Sequence, residues 1–135
     1  KLPRDVEGYM GRLRCVQEIS AVTAACMMVK TSVFKAVGGF DEELKVAFND
    51  IDLCMKVRKY GVKIVFTPYA ELYHYESKSR GMEDTPEKQL RFSREVNCFR
   101  RKWERELLKG DPYYNPNLTL NNTDCSLRKQ EKNGD

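Results

Sequence analysis

The sequence has no run of about 18 apolar residues, and its longest apolar-rich stretch, Ile19 to Val29, is interrupted by Ser20 and Thr23. A membrane-spanning helix is therefore not expected. No CxxC pair occurs among the five cysteines, Cys15, Cys26, Cys54, Cys98 and Cys125, which excludes a zinc knuckle and a dithiol redox motif. The single histidine, His74, excludes a metal site built on several imidazoles. There is no Gly-rich phosphate loop, RNA-binding aromatic signature or zinc finger. The segment Lys1 to Met10 mixes charges with Pro3 and Gly8 and does not read as a signal peptide.

What is present fits one ordinary domain. The chain has 135 residues, 41% of them hydrophobic and 33% charged, a balance that permits a core and argues against a disordered tail. Cys26, Cys54 and Cys98 sit among apolar residues and read as small buried hydrophobes in a reducing compartment. Asn117-Leu118-Thr119 and Asn121-Asn122-Thr123 match glycosylation sequons and are read as chance. The net charge of +4 equals the surplus of eight Lys/Arg over four Glu between Glu87 and Lys109. A basic stripe can bind nucleic acid, but interspersed Glu95, Glu104 and Glu106 favour a solvated helix face, and no nucleic-acid partner is expected.

Residues 1–15 have no clear period and read as an entering arm or loop. Val22 to Val29, with its β-branched members, suits a buried strand. Thr31-Ser32 offers an N-cap to a short helix through Val37 that Gly38-Gly39 stops. Phe40 to Val46 is expected to be a loop anchored by Phe40 and Leu44. Asn49 then caps a helix over which Ile51, Cys54, Met55 and Arg58 recur at helical spacing, ending at Gly61. Asp50 and Asp52 lie in its first turn, where the helix dipole favours anions, and Lys56, Arg58 and Lys59 lie in its last. Val62 to Phe66 reads as a strand closed by Pro68, and Ala70, Leu72 and His74 alternate with Glu71, Tyr73 and Tyr75 as a second. Glu76 to Asp84 reads as a loop. Thr85-Pro86 opens a long helix to Leu108, with Leu90, Val96, Phe99, Trp103 and Leu107 as its seam. Residues 111–135 form an irregular tail.

Two places gather chemistry. In Phe48-Asn49-Asp50-Ile51-Asp52 the two carboxylates stand at i and i+2, pointing to different sides of a helix and poorly placed to share a proton or metal. Capping and dipole compensation account for these residues without catalysis. Tyr73 to Gly81 carries His74 at a strand end, followed by Ser77, Lys78, Ser79 and Arg80, which together could hold a phosphate. A histidine satisfied by its surroundings is the simpler reading there.

The order and spacing of these segments resemble the second half of family 2 glycosyltransferases. The matching stretches are Val22 to Lys30, Phe34 to Glu42 with its Gly38-Gly39-Phe40-Asp41, Phe48 to Gly61, Ile64 to His74, and Glu76 to Gly81. Asp111 to Leu118 is similar to a segment of large bacterial members that build O-antigen and other surface polysaccharides. The resemblance covers about residues 16–120 and implies an α/β fold. The resemblance implies, more narrowly, the C-terminal, acceptor-side half of a Rossmann-like GT-A domain (residues 16–110), with a short mixed sheet, a helix after Asn49 and a long C-terminal helix.

The resemblance further implies an inverting transfer of a hexosyl or deoxyhexosyl group from a nucleotide sugar to a glycan or lipid-linked glycan. Asp50 matches the general base, and Asn49 stands where the family usually has Glu. Phe48, Asn49 and Asp52 would border the acceptor. His74 would approach a divalent cation, Mg or Mn, while Ser77 and Arg80 would cover the donor diphosphate. The nucleotide-binding half and its Asp-x-Asp motif do not fit within this sequence. A chain of this kind is expected to hold no metal tightly alone, to need that N-terminal half as partner, and to self-associate through its uncovered strand edge. Cytoplasmic placement follows; peripheral contact at the inner membrane face through the basic helix stays open beside the plainer reading of that helix as a solvated outer face. Another class of function fits the departure at Asn49: a non-catalytic carbohydrate- or protein-interaction module on the same scaffold.

Overall fold

The computed structural model describes residues 5–75, 85–122 and 124–128. Its regular elements are β1 (Gln17–Glu18), α1 (Thr31–Ala36), α2 (Asn49–Lys59), β2 (Val65–Phe66), α3 (Pro86–Lys102) and α4 (Glu104–Lys109). The architecture is helical with one small sheet, consistent with an α/β class. That sheet is antiparallel rather than mixed: β1 pairs with β2, Gln17 opposite Phe66 and Glu18 opposite Val65.

Local chemistry explains the helices. Thr85 Oγ1 accepts from Lys88 N at 3.4 Å and Pro86 occupies the first turn of α3, where a missing N–H costs nothing. α1 ends at a glycine pair, and Gly39, with φ +65°, is packed so that a Cβ would lie 3.0 Å from the Phe34 ring. Both the left-handed backbone and the close ring demand glycine there. α2 begins at Asn49, so the cap position falls one residue earlier than the sequence suggests, on Phe48 in left-handed geometry at φ 63°. That conformation is costly for a bulky side chain. Its ring is stacked on Phe99 at 5.0 Å between centroids and lies 5.9 Å from Phe92.

Several expectations are corrected. Val22 to Val29 is not a buried strand: Ala24–Cys26 form a 3₁₀ turn, and Ala24, Ala25, Cys26 and Met28 are exposed. Two amides a ladder would use are spent otherwise, Ala25 N on Thr23 Oγ1 and Ala24 N on Asp50 Oδ2. Residues 70–75 alternate in sequence yet form no strand and are exposed throughout. The long helix breaks at Trp103 (φ −114°, ψ 19°), giving α3 and α4. Its seam is narrower than the periodicity implies: Phe99 and Trp103 are buried, whereas Leu90 and Leu107 are exposed. Of the cysteines read as buried, only Cys54 is; Cys26 is exposed and Cys98 half-buried.

The core is small. Leu44, Phe99 and Trp103 form its centre, with Phe48, Met55 and Cys98 packed against them, and Leu53, Cys54 and Val57 bury the inner side of α2. Residues 111–122 and 124–128 make more contacts than a tail of turn residues would. Leu118 bridges Leu127 in antiparallel fashion, Leu118 and Thr119 are buried, and Tyr114 Oη donates to Thr119 O at 2.8 Å. The segment also returns to β1, where Tyr113 Oη donates to Glu18 Oε2 at 3.1 Å and Ser20 Oγ donates to Asp111.

Candidate active site

The first turn of α2 carries the most chemistry, and its two aspartates have opposite fates. Successive residues of a helix rotate by about 100°, so Asp50 and Asp52 lie about 160° apart around the axis. Asp50 faces the 19–26 segment. It is half-buried, its Oδ2 accepting from Ala24 N at 3.1 Å and its Oδ1 from Ile51 N at 2.9 Å. Cys54, one turn on, points the same way and donates from Sγ to Val22 O at 3.7 Å; burial first of all pushes its thiol pKa up. Asp50 thus sits at the positive end of a helix dipole, bonded to two amides and to no cation in the described contacts.

Asp52 is completely buried. Trp103 Nε1 donates to its Oδ1 at 2.8 Å, Lys102 Nζ lies 2.8 Å from the same oxygen, and Lys56 Nζ lies 2.9 Å from Oδ2. This corrects its expected place beside an acceptor, because no face of the carboxylate is open to a sugar. Lys102 also pairs with Asp41, and Lys56 Nζ donates to Gly39 O at 3.0 Å. Desolvation pulls the Lys102 pKa down, but the bonds to Asp41 and Asp52 outweigh it and hold it above the ordinary lysine value. The Lys102 ammonium in turn holds the Asp41 carboxyl low, helped by the Glu43 amide.

The remaining expected residues are distributed as follows. Asn49 is half-buried, its Oδ1 accepting from Asp50 N at 2.7 Å. Phe48 is half-buried against the core. His74 is exposed in the segment after β2. Ser77 and Arg80 lie outside the described residues. Among the described residues no three His, Cys, Asp or Glu side chains come together to hold a metal.

Residues that the sequence reading passed over support this turn. Glu95, taken as part of a solvated face, is buried, and its Oε2 accepts from Ala47 N at 2.6 Å, fixing the loop that enters α2. Its signal was available: Glu95 lies one helical turn before Phe99, on the seam. A groove of about 1150 Å³ opens along a third side of α2, lined by Ile51, Met55 and Arg58 and by Lys109 to Tyr114. The Arg58 guanidinium lies 5.5 Å from the Tyr113 ring centroid. Phe48 borders this groove, whereas Asp50 and His74 do not.

Comparison with known proteins places this turn in context. The chain is 56% identical over 126 residues to an uncharacterized protein of Sinorhizobium fredii, y4gI, matching 93% of this chain and 14% of that protein. It is 39% identical over 115 residues to the O-antigen biosynthesis protein RfbC of Myxococcus xanthus, matching 85% of this chain and 9% of that protein. Over 62 residues, 46% of this chain and 20% of the relative, it is 36% identical to N-acetylglucosaminyl-diphospho-decaprenol L-rhamnosyltransferase of Mycobacterium tuberculosis. The chain therefore spans less than a fifth of the length of the first two relatives. No family model and no solved structure matches it.

Proposed function

We propose that this chain is the acceptor-side part of a longer inverting glycosyltransferase of the family 2, GT-A type, working in bacterial surface-polysaccharide synthesis. Similarity to an O-antigen biosynthesis protein over 85% of the chain supports this reading. The single structural observation that carries it is Asp50: a half-buried carboxylate at a helix start, held by two amides and paired with no cation among the described residues.

In the reaction, an acceptor hydroxyl oxygen attacks the anomeric carbon of the donor sugar. Its proton passes to the Asp50 carboxylate as the bond from that carbon to the diphosphate oxygen breaks. The nucleoside diphosphate leaves with the electron pair. A carboxylate is an intrinsically weak base, so position must compensate for basicity. In this reading Phe48 and Asn49 would border the acceptor, and His74 would serve the diphosphate side together with Ser77 and Arg80, which fall outside the described residues. A divalent cation, Mg or Mn, would supply charge stabilisation to the leaving group when bound, with His74 as one ligand. The N-terminal nucleotide-binding half is the chain's principal partner.

The test is direct. The intact protein, assayed against a panel of nucleotide sugars with and without Mg or Mn, is expected to release nucleoside diphosphate in step with glycan extension. Glycan binding without turnover across the whole panel would instead support a non-catalytic carbohydrate module, the reading that Asn49 in place of Glu favours.

Among the described residues no helix is long and apolar enough to cross a membrane. We place the protein in the cytoplasm, with the arginines of α3 at the inner membrane face where lipid-linked acceptors reside. Arg94, Arg100 and Arg101 are exposed there. Separately, Val16 and Val65 leave apolar surface open at the two-stranded sheet, and such an edge invites pairing. The 135-residue chain alone is expected to self-associate, as light scattering over a concentration series would show; a monomer at every concentration would remove this partner.

A further inference from the structure

We infer that Asp52 is a positioning residue: a buried carboxylate that sets the direction of Asp50 by clamping the first turn of α2 from behind. This rests on the glycosyltransferase reading of Asp50. The clamp consists of one hydrogen-bond donor, Trp103, and two ammonium groups, Lys102 and Lys56, paired by charge with one fully buried side chain. Through Lys56 and Lys102 it also fastens Gly39 and Asp41, so one carboxylate joins the glycine turn, the following loop, α2 and the α3–α4 joint.

Two arguments separate this from ordinary stabilisation. Buried ion pairs contribute little net stability, because desolvation cancels much of the attraction, and fixing one geometry is the better-supported use of such groups. Charge is also matched at the clamp: Asp41 and Asp52 face Lys56 and Lys102. The placement matters because Asp50 lies two residues away on the opposite side of the same turn, bonded to Ala24 N at 3.1 Å. The turn is thus bonded on both sides, to Ala24 through Asp50 and to Trp103, Lys102 and Lys56 through Asp52. A misplacement of about 1 Å at a reacting group can cost about a hundredfold in rate, so slackening this clamp should act on turnover.

The experiment compares Asp52→Asn, Trp103→Phe and Lys102→Gln with Asp50→Asn, each assayed well below its own melting temperature. Asp52→Asn retains the shape and an acceptor for the indole but removes the charge. Trp103→Phe removes one donor, and Lys102→Gln, at a partly exposed residue, is the mildest change and keeps the test open should the others not fold. We expect kcat to fall about ten- to a hundredfold for Asp52→Asn and three- to tenfold for the other two, with donor KM within about twofold. Amide exchange at Ala24 should speed up about tenfold in the same variants, with the Phe99 amide unchanged; this does not depend on activity. Unaltered Ala24 exchange together with kcat within twofold of the parent in the folded variants overturns the inference. If Asp50→Asn itself leaves kcat intact while Ala24 exchange responds, the clamp stands and the glycosyltransferase reading of Asp50 fails.

Discussion

Replacing Asp50 with asparagine in the intact protein is expected to cut sugar transfer by a factor of about 10² to 10⁴, the usual worth of a positioned proton acceptor. That corresponds to about 3–5 kcal/mol of barrier. The effect on folding should be far smaller. Asp50 is half-buried, carries no buried ion pair in the described contacts, and makes only the bonds to Ala24 N and Ile51 N. Asparagine retains one oxygen for those amides. It loses the interaction of the negative charge with the helix dipole, worth about 0.3–1 kcal/mol at such a site. Rate and stability should therefore separate, and initial rates with a circular-dichroism melt of the same preparation measure both. Turnover within about threefold of the parent would remove Asp50 from the mechanism, whatever the melt shows.

The sequence made the start and stop of α2 and the N-terminus of α3 legible because both depend on neighbours in the chain. Acidic residues follow Asn49, basic residues precede Gly61, and Thr85-Pro86 caps α3. That the two aspartates face different sides of the helix is legible as well, since it needs only the helical period. What lay on each side was not legible. Asp52 finds its partners 50 and 51 residues downstream, at Lys102 and Trp103, and no local pattern announces such a pairing. Strands were the weakest point. Val22 to Val29 and residues 70–75 carry strand-like patterns, but a strand is defined by the chain it pairs with. Among the described residues only Gln17–Glu18 and Val65–Phe66 form a ladder between strands. Glu95 is hidden for a related reason: a charge within a basic helix looks solvated until an amide from another segment meets it.

Trp103 is where loss of a single side chain should do the most damage to the fold. Truncation of a buried tryptophan to alanine costs about 3–5 kcal/mol from lost transfer energy and the cavity left behind. Here the indole is 4% exposed at the centre of the core and supplies Asp52 with an N–H donor at 2.8 Å. Removing a donor from a buried carboxylate adds about 1–3 kcal/mol. Lys59 and Lys102 also lose a ring lying 5.8 and 5.9 Å from their ammonium groups. Total stabilities of domains fall at about 5–15 kcal/mol, and only seven hydrophobic residues are buried among those described. Trp103→Ala should therefore leave the chain largely unfolded at 25 °C. Trp103→Phe, which fills most of the same space, should remain folded with a lowered urea midpoint. Urea titration followed by circular dichroism distinguishes the two; a loss under about 1 kcal/mol for the alanine variant would mean that the α2–α3 contact does not hold the core, and that the carboxylate at position 52 finds its charge balance without the indole.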